Sequence, residues 1–253
     1  MIKVSGVHKK FKSKQVLRGV DLEIRDAETL TIIGGSGCGK SVLLKNIIGL
    51  LKPEEGEIFV DGKETTRLDE SDLLEVQKKF GYLFQGAALF DSLTVGENVA
   101  FGLNNMKTIP PNEIGKRVLE CLAMVGLKGV ENLKPAELSG GMKKRVGLAR
   151  AIAHKPEYIM YDEPTTGLDP IMADVINDLI IHLQKQLGVT SIVVTHDMKS
   201  AYKVSNRIAM LYEGKIIGAG SPDEIKNSKD AVVHQFVEGL SQGPITLNLD
   251  KNF

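Results

Sequence analysis

A glycine-rich stretch that follows an apolar run constrains the fold of this chain more than any other feature. Residues 34–41 read Gly-Gly-Ser-Gly-Cys-Gly-Lys-Ser and match the pattern G-x-x-x-x-G-K-S/T at every fixed position. Residues 28–33 predict a strand before this stretch, and residues 40–51 predict a helix that ends before Pro53. Glycines let backbone N–H groups surround a phosphate, and the helix directs its positive end at the anion. The stretch therefore predicts a phosphate-binding loop in an α/β fold.

Each residue of this loop has an expected role in binding a nucleotide. Lys40 would reach the β- and γ-phosphates, and the Ser41 hydroxyl would ligate Mg²⁺. The other residues expected to contact the nucleotide are Gly34, Gly35, Ser36, Gly37, Cys38, Gly39 and Val42. Cys38 lies at the N-terminus of the predicted helix, a position that can lower a thiol pKa. We expect a small residue whose backbone binds phosphate there, rather than a redox-sensitive thiol.

Two carboxylates end a second apolar run. Residues 158–161 are Tyr-Ile-Met-Tyr, and Asp162 and Glu163 follow them. Short runs of this kind are typical of strands that are buried on both faces. Acids at the tip of such a strand can hold Mg²⁺ and act as a base toward water. We therefore expect Asp162 to hold Mg²⁺ and Glu163 to polarise the attacking water. The alternative is a pair of solvated acids.

A second candidate phosphate site lies at residues 138–141, which read Leu-Ser-Gly-Gly before a helix that carries Lys143, Lys144 and Arg145. Small residues at a helix N-terminus favour anion binding. Two phosphate-binding devices with one complete set of metal ligands predict a head-to-tail dimer. The 32 Lys and Arg residues balance 32 Asp and Glu residues, so we interpret the basic run as a solvated helix face and expect no nucleic-acid partner.

Six motifs occur in the order found in the nucleotide-binding subunits of ABC transporters, which the chain resembles over residues 1–235. They are the phosphate loop at 34–41, Gln85 after a strand, LSGG at 138–141, YIMYDE at 158–163, GLD at 167–169 and His196 in VVTHD. The resemblance implies a P-loop NTPase fold of the ABC type. That fold has a RecA-like parallel-sheet core, an N-terminal antiparallel β subdomain and an inserted helical subdomain. It also implies an ATPase that uses ATP and Mg²⁺ and works as a homodimer.

The resemblance also assigns roles to single residues around the nucleotide. Phe11 corresponds to the aromatic residue that stacks on adenine, where Tyr is more usual. Gln85 corresponds to a Mg²⁺ ligand that senses the γ-phosphate and links it to the membrane partner. His196 corresponds to the residue that bonds the γ-phosphate and helps to position Glu163. The expected catalytic set is Glu163, His196, Gln85 and Lys40.

Other residues would act across the dimer interface. The residues expected to contact ATP in trans are Ser139, Gly140 and Gly141. Asp169 would tie the two halves of the dimer together. The common signature is LSGGQ, whereas Met142 stands at the last position here. We expect this change to remove a polar contact near the interface without loss of catalysis.

The order of predicted elements gives a single ABC ATPase domain over residues 1–240. Its α/β core is expected at 1–84 and 156–240, and its helical subdomain at 85–155, where the pattern turns helical. Residues 241–253 are expected to form a C-terminal tail. Leu247, Leu249 and Phe253 alternate with polar residues, so an added strand, a clasp on a second chain and disorder all remain open.

The segment after Gln85 indicates which ABC system the chain serves. Residues 85–101 read QGAALFDSLTVGENVAF and, with LSGGM, resemble ATPases of Mce-linked lipid transport. The resemblance implies phospholipid transport between the inner and outer membranes that maintains outer-membrane lipid asymmetry. It also implies an integral membrane permease that docks at residues 85–101 and an Mce-domain lipid-binding protein in the same complex.

Four apolar residues of this segment, Leu89, Phe90, Leu93 and Val95, offer a docking site for a partner helix. The alternative is that they pack on the helical subdomain. No run of 18 apolar residues and no signal peptide is visible. We therefore expect a peripheral protein on the cytoplasmic face of the inner membrane. A small-solute importer ATPase and a non-transport ATPase, such as one for iron–sulfur assembly, remain as other functions.

Overall fold

Two β-sheets organise the protein, for which a computed structural model describes residues 1–106 and 109–246. One sheet has four strands in the order β2-β1-β4-β5, namely β1 (Ile2–Phe11), β2 (Lys14–Ile24), β4 (Glu55–Val60) and β5 (Lys63–Glu64). The other has the order β10-β9-β3-β8-β7-β6, formed by β3 (Thr29–Ile33), β6 (Phe80–Leu83), β7 (Tyr158–Asp162), β8 (Thr190–Thr195), β9 (Arg207–Tyr212) and β10 (Lys215–Gly220).

Nine α-helices in the described ranges accompany these sheets. They are α1 (Lys40–Ile47), α2 (Glu70–Gln77), α3 (Val95–Met106), α4 (Pro111–Met124), α5 (Gly140–Ile152), α6 (Pro170–Leu187), α7 (Met198–Val204), α8 (Pro222–Lys226) and α9 (Ala231–Glu238). Within the same ranges, no helix combines the length and the apolar character needed to cross a bilayer.

The antiparallel sheet begins with a hairpin that is longer than the sequence pattern indicates. The spacing of apolar residues indicates strands at 2–7 and 16–24, but β1 and β2 pair as far as Phe11 opposite Lys14. The pairing shifts register three times. Each shift interrupts the alternation of apolar and polar residues, so the sequence pattern ends before the hydrogen bonding between the two strands does. This extension carries Phe11 out to the edge of the sheet. The turn predicted at Asp61-Gly62 joins β4 to β5, with both residues at positive φ.

The six-stranded sheet positions the functional loops. Strands β9, β3, β8, β7 and β6 are parallel, and β10 is antiparallel to β9. Residues of β3, β7 and β8 are all buried, and their short β-branched or apolar runs are typical of strands covered on both faces. Because parallel strands end at the same edge of a sheet, the loop after β3, the acids after β7 and Gln85 after β6 come together there. This architecture confirms the predicted P-loop NTPase fold of the ABC type.

Helices α3, α4 and α5 pack together on the side of β6. Their buried apolar residues, among them Val99, Leu122 and Leu148, form one cluster with Ile159 and Ile180 of the sheet and α6. Helix α4 begins at Pro111, as the Pro110-Pro111 pair predicts. The insertion therefore shares its apolar core with the parallel sheet. The proposed division into a core at 1–84 and 156–240 and a helical subdomain at 85–155 stays a prediction.

Several helices differ from expectation. Helix α1 ends at Ile47 rather than near residue 51, because the chain turns at Gly49 with φ +77°, and a side chain there would meet Leu73 at 2.7 Å. Helices α2, α7 and α8 are not evident in the sequence pattern, since α2 and α8 each bury a single residue and α7 buries three, too few to form an apolar stripe. Each begins at a polar cap whose side chain accepts a backbone N–H. Residues 247–253 of the tail lie outside the described residues.

Candidate nucleotide-binding site

The phosphate loop connects β3 to α1 and needs glycine at two positions. Gly34 has φ +153°, and a Cβ there would lie 2.3 Å from the carbonyl oxygen of Leu211. Gly39 caps α1 with φ +112°, and a Cβ there would crowd Val16 and Leu17 at 3.0–3.1 Å. Any larger residue would push the loop away from strands β2 and β9. The tight packing therefore fixes the loop in front of the helix N-terminus.

Lys40 is held across the loop. Its side chain is only 6% exposed, and Nζ donates to the carbonyl oxygens of Gly34 at 2.8 Å and Gly35 at 3.1 Å. The same Nζ lies 3.6 Å from Oε1 of Glu163. The ammonium thus faces both the loop and the acid after β7. This is where a cation could neutralise phosphate oxygens.

Asp162 is fixed by two hydroxyl groups. Its Oδ1 accepts a hydrogen bond from Ser41 Oγ at 2.7 Å, and its Oδ2 accepts one from Tyr82 Oη at 3.1 Å. Ser41 is the second residue of α1 and Tyr82 lies on the neighbouring β6, so two elements aim at one carboxylate. Mg²⁺ prefers one or two such protein oxygens together with substrate phosphates and water. The oxygen pair of Ser41 and Asp162 fits that preference.

Glu163 follows β7 in a left-handed backbone conformation, with φ +50°. Its N–H donates to the carbonyl oxygen of Val194 at 3.0 Å, and Thr166 Oγ1 donates to Oε2 at 3.0 Å. Nδ1 of His196 lies 3.0 Å from Oε2 and 3.1 Å from Oε1. The side chain of Glu163 is nearly buried, whereas half of the His196 side chain is exposed. The structure therefore brings the two expected catalytic residues together, with His196 on the open side.

An open cleft of about 490 Å³ unites most of the expected nucleotide-binding residues. Its lining includes Phe11, Lys40, Ser41, Gln85 and Glu163. The Phe11 ring is 44% exposed at the end of β1, with Nζ of Lys9 5.5 Å from its centroid. An exposed ring at one end and cationic and acidic groups at the other suit a base and its phosphates. The volume lies within the range of small-molecule sites.

The residues expected to act in trans do not line this cleft. Ser139 is exposed and caps α5, accepting the N–H of Met142 at 3.3 Å. Asp169 is exposed and caps α6, accepting the N–H groups of Ile171 and Met172 at 3.0 Å. Within one chain, the side chains of Ser139 and Asp169 thus cap the helices that follow them. Their roles across a dimer stay predictions.

Cys38 packs as a small residue. It is half-buried against the apolar cluster of the sheet. Burial raises the pKa of its thiol, and the nearby Lys40 charge offsets this only in part. A raised pKa disfavours the thiolate, so the environment of Cys38 favours the small-residue interpretation.

The prediction of a solvated basic face is wrong for Lys144. Its side chain is 5% exposed, and Nζ donates to the carbonyl oxygens of Gln85 and, at 3.1 Å, of Glu163. The helical spacing indicates that the Lys144 side chain points inward, because Lys144 lies three residues after Gly141 and four before Leu148, and both are buried. Sequence reasoning also missed Tyr82 and Thr166, which hold Asp162 and Glu163.

The apolar residues after Gln85 divide between the two predicted roles. Val95 is fully buried and Leu89 packs partly against the core of the helical insertion. Phe90 and Phe101 are 44% and 42% exposed, and their rings lie 4.5 Å apart. Val95 therefore does not offer a docking contact. The exposed aromatic pair Phe90–Phe101 does.

Comparison with known proteins shows the family of the chain. The family described as ABC transporter matches residues 17–166, and the chain belongs to that family. It is 41% identical to the intermembrane phospholipid transport system ATP-binding protein MlaF of Haemophilus influenzae, over 97% of this chain and 93% of that one. It is 42% identical to the chloroplastic protein TRIGALACTOSYLDIACYLGLYCEROL 3 of Arabidopsis thaliana, over 97% of this chain and 75% of that one.

A solved structure and an import protein are also similar. The dimeric ATP-binding cassette MJ0796 bound to ADP and phosphate has a TM-score of 0.81 and 37% identity, covering 88% of this chain and 99% of that one. The methionine import ATP-binding protein MetN of Halalkalibacterium halodurans is 38% identical over 96% of this chain and 73% of that one. The protein is thus an ABC ATPase that hydrolyses ATP, with Mg²⁺ as the partner ion, and couples hydrolysis to transport.

Proposed function

We propose that this chain is the ATPase subunit of an ABC transporter that moves phospholipid between the inner and outer membranes and so maintains outer-membrane lipid asymmetry. The observation that carries the proposal is the likeness to the phospholipid-system protein MlaF, which spans 97% of this chain and 93% of that protein. The amino-acid sequence of residues 85–101 supports the same assignment.

In this proposal the cleft residues divide the work on ATP. Phe11 stacks on adenine, and the backbone of the loop at 34–39 binds the phosphates. Lys40 neutralises the β- and γ-phosphates, while Ser41, Asp162 and Gln85 hold Mg²⁺, which supplies charge neutralisation when bound.

The acid after β7 prepares the attacking water. Glu163 accepts the proton of water or orients it, because its carboxylate is held by Thr166 and His196 on the side facing Lys40. The exposed edge of His196 remains available for a γ-phosphate oxygen. Lys40 then stands beside both the phosphate and the base.

Two copies complete each other's sites. Ser139 and Gly140 are exposed at the start of α5, next to the buried Gly141 and outside the cleft of their own chain. These three residues contact the ATP of the second chain. Asp169 ties the two halves together. Loss of the γ-phosphate removes these contacts and reopens the dimer, which moves the docked partner.

The membrane partner docks at residues 85–101 and holds the chain at the cytoplasmic face of the inner membrane. The exposed rings of Phe90 and Phe101 beside the exposed Gln85 give a partner helix an apolar contact next to the γ-phosphate sensor. An Mce-domain lipid-binding protein belongs to the same complex and recognises the lipid. The ATPase itself supplies force and not lipid selection.

The alternative is the ATPase of a small-solute importer, which the 38% identity to MetN favours. An affinity pull-down from detergent-solubilised membranes, with mass spectrometry of protein partners and bound lipid, separates the two. We expect a multi-span permease, an Mce-domain protein and phospholipid. A permease without phospholipid would support the importer, and soluble partners alone would support a non-transport ATPase.

A variant makes the same experiment a test of the docking site. Phe90→Ser should reduce recovery of the permease while ATP binding continues, because Phe90 does not line the nucleotide cleft. Leu74→Ser is the matched control, since Leu74 is an exposed apolar residue on α2, away from residues 85–101. Equal permease recovery with both variants would contradict docking at Phe90.

A further inference from the structure

Lys144 is a buried cation that bonds to carbonyl oxygens and forms no ion pair among the described residues. Its side chain is 5% exposed, and the negative charges of Asp162 and Glu163 act on it only from a distance. Burial lowers the pKa of its ammonium group. Burying a charge without a direct partner is costly. A local apolar packing role would be met at lower cost by Met or Leu.

The two carbonyl groups that Lys144 binds belong to functionally distinct loops. One is the carbonyl of Gln85, where the docking segment begins, and the other is the carbonyl of Glu163. Glu163 sits at φ +50°, and its own N–H is bound to Val194. Hydrogen bonds on both its N–H and its C=O hold this strained residue, so Lys144 helps to set the direction of the carboxylate.

The docking segment is attached to the same helix at a second point. Arg150 lies six residues after Lys144, about 9 Å along α5. Its guanidinium donates to the carbonyl oxygens of Ala87 at 2.6 Å and Ala88 at 2.7 Å, two residues with positive φ. The buried Asn98 binds both the N–H and the C=O of Phe90. The backbone of residues 85–90 is therefore held by side chains and cannot shift without disturbing the carbonyl of Gln85.

We propose that Lys144 is a positioning residue that couples the docking segment to Glu163. A displacement of the Gln85 carbonyl moves the shared ammonium group and with it the carbonyl of Glu163. The carboxylate then changes its orientation toward water without any change in the phosphate loop. This inference rests on the ATPase activity and on the proposed role of Glu163, and it is independent of the transported substrate.

The test compares Lys144→Met, Lys144→Arg and Lys143→Met in the full chain. We expect Lys144→Met to lower kcat roughly 10- to 100-fold, the scale of small misplacements of a catalytic group. The Kd for ATP should change far less than kcat, because Lys144 contacts backbone carbonyls of Gln85 and Glu163 and no residue of the phosphate loop. Lys144→Arg keeps a cationic donor and should restore most of kcat. Lys143→Met removes the same charge at the neighbouring position and should leave kcat unchanged.

Three results would overturn the proposal. An unchanged kcat in Lys144→Met would remove the coupling. A parallel fall of kcat, ATP affinity and melting temperature would show a packing role. Equal inactivity of Lys144→Arg and Lys144→Met would show that donated hydrogen bonds are not what matters. Absence of ATP hydrolysis by the unaltered chain would contradict the proposed function itself, and is therefore distinct from all three.

Discussion

At the scale of single residues, the site depends on hydroxyl groups that hold its acids in place. Asp162 has both oxygens engaged, by Ser41 and by Tyr82, and Glu163 is held by Thr166. Burial and the neighbouring Asp162 raise the pKa of Tyr82, so this phenol stays protonated and remains a donor over the whole working range of pH. Such supporting hydrogen bonds fix the orientation of metal-binding carboxylates.

Tyr82→Phe should therefore weaken Mg²⁺ binding. The change removes the hydrogen bond to Oδ2 of Asp162 and leaves the ring in its contact with Phe84. The Mg²⁺ concentration that half-saturates the ATP complex should rise roughly 10- to 100-fold, the scale of one lost hydrogen bond to a charged group that supports a metal ligand. The measurement is a Mg²⁺ titration of ATP binding. Tyr212→Phe on β9 is the control, and equal Mg²⁺ dependence of the two variants would contradict the role of Tyr82.

The site residues differ in how far sequence could predict them. Lys40, Ser41, Asp162 and Glu163 belong to contiguous motifs after strands, and parallel strands place such motifs at one edge. Lys144 could not be predicted in the same way, because its partners are backbone carbonyls of two distant loops. Every residue carries a backbone carbonyl, so the sequence does not show which carbonyl accepts a hydrogen bond. Only the position of Lys144 on the buried face of α5 indicates that its side chain points inward.

At the scale of elements, the turn between β4 and β5 joins the antiparallel sheet to the parallel sheet. Asp61 in this turn bonds Lys79 at 2.6 Å and the hydroxyl of Tyr158 at the start of β7. Burial alone would raise the pKa of Asp61, but these hydrogen bonds outweigh it and lower the pKa to about 2. The Asp61-Gly62 pair predicts a hairpin turn, but the sequence pattern does not predict that this turn contacts the parallel sheet.

The lowered pKa makes this junction sensitive to acid. A carboxyl group whose pKa is lower in the folded state adds stability above its unfolded pKa, and this stability is lost as the pH falls through the folded value. The window therefore runs from about pH 5 to about pH 2. The contribution should be about 1 kcal/mol, since one third of the Asp61 side chain is exposed and solvent screens its ion pair.

Asp61→Asn tests this contribution because Asn also suits the positive φ of the turn. Denaturant unfolding at neutral pH should show the variant to be less stable, and the difference from the unaltered chain should shrink as the pH falls across that window. Asp91→Asn, at an exposed residue, serves as control. A difference that stays constant with pH would show that Asp61 acts only through the turn geometry.

At the scale of the whole molecule, one chain carries two segments that we propose to bind phosphate, and the two lie apart. The cleft holds Lys40 and Glu163, while the start of α5 holds Ser139 outside that cleft. The proposed head-to-tail dimer would use both segments of each chain. The fold class follows from the motifs, whereas the strand order is known only from the structure. The contact between two chains is visible neither in the sequence pattern nor in a single chain.

Complementation between two inactive variants tests this arrangement. Lys40→Ala disables the cleft of its own chain, and Ser139→Arg disables the device offered to the second chain. Each variant alone should hydrolyse little ATP. A mixed dimer has one site built from two intact halves, so the mixture should regain activity. A mixture no more active than the two variants measured separately would contradict the head-to-tail dimer.

The most direct test of the central claim is ATP turnover by Glu163→Gln together with its affinity for ATP. The substitution keeps the shape of the side chain and removes the base. We expect a fall in kcat of roughly 10²- to 10⁴-fold, the scale of general base catalysis, with ATP binding retained because Lys40 and the phosphate loop are intact. Near-normal turnover would contradict the assignment of Glu163 as the base and with it the mechanism proposed for this ATPase.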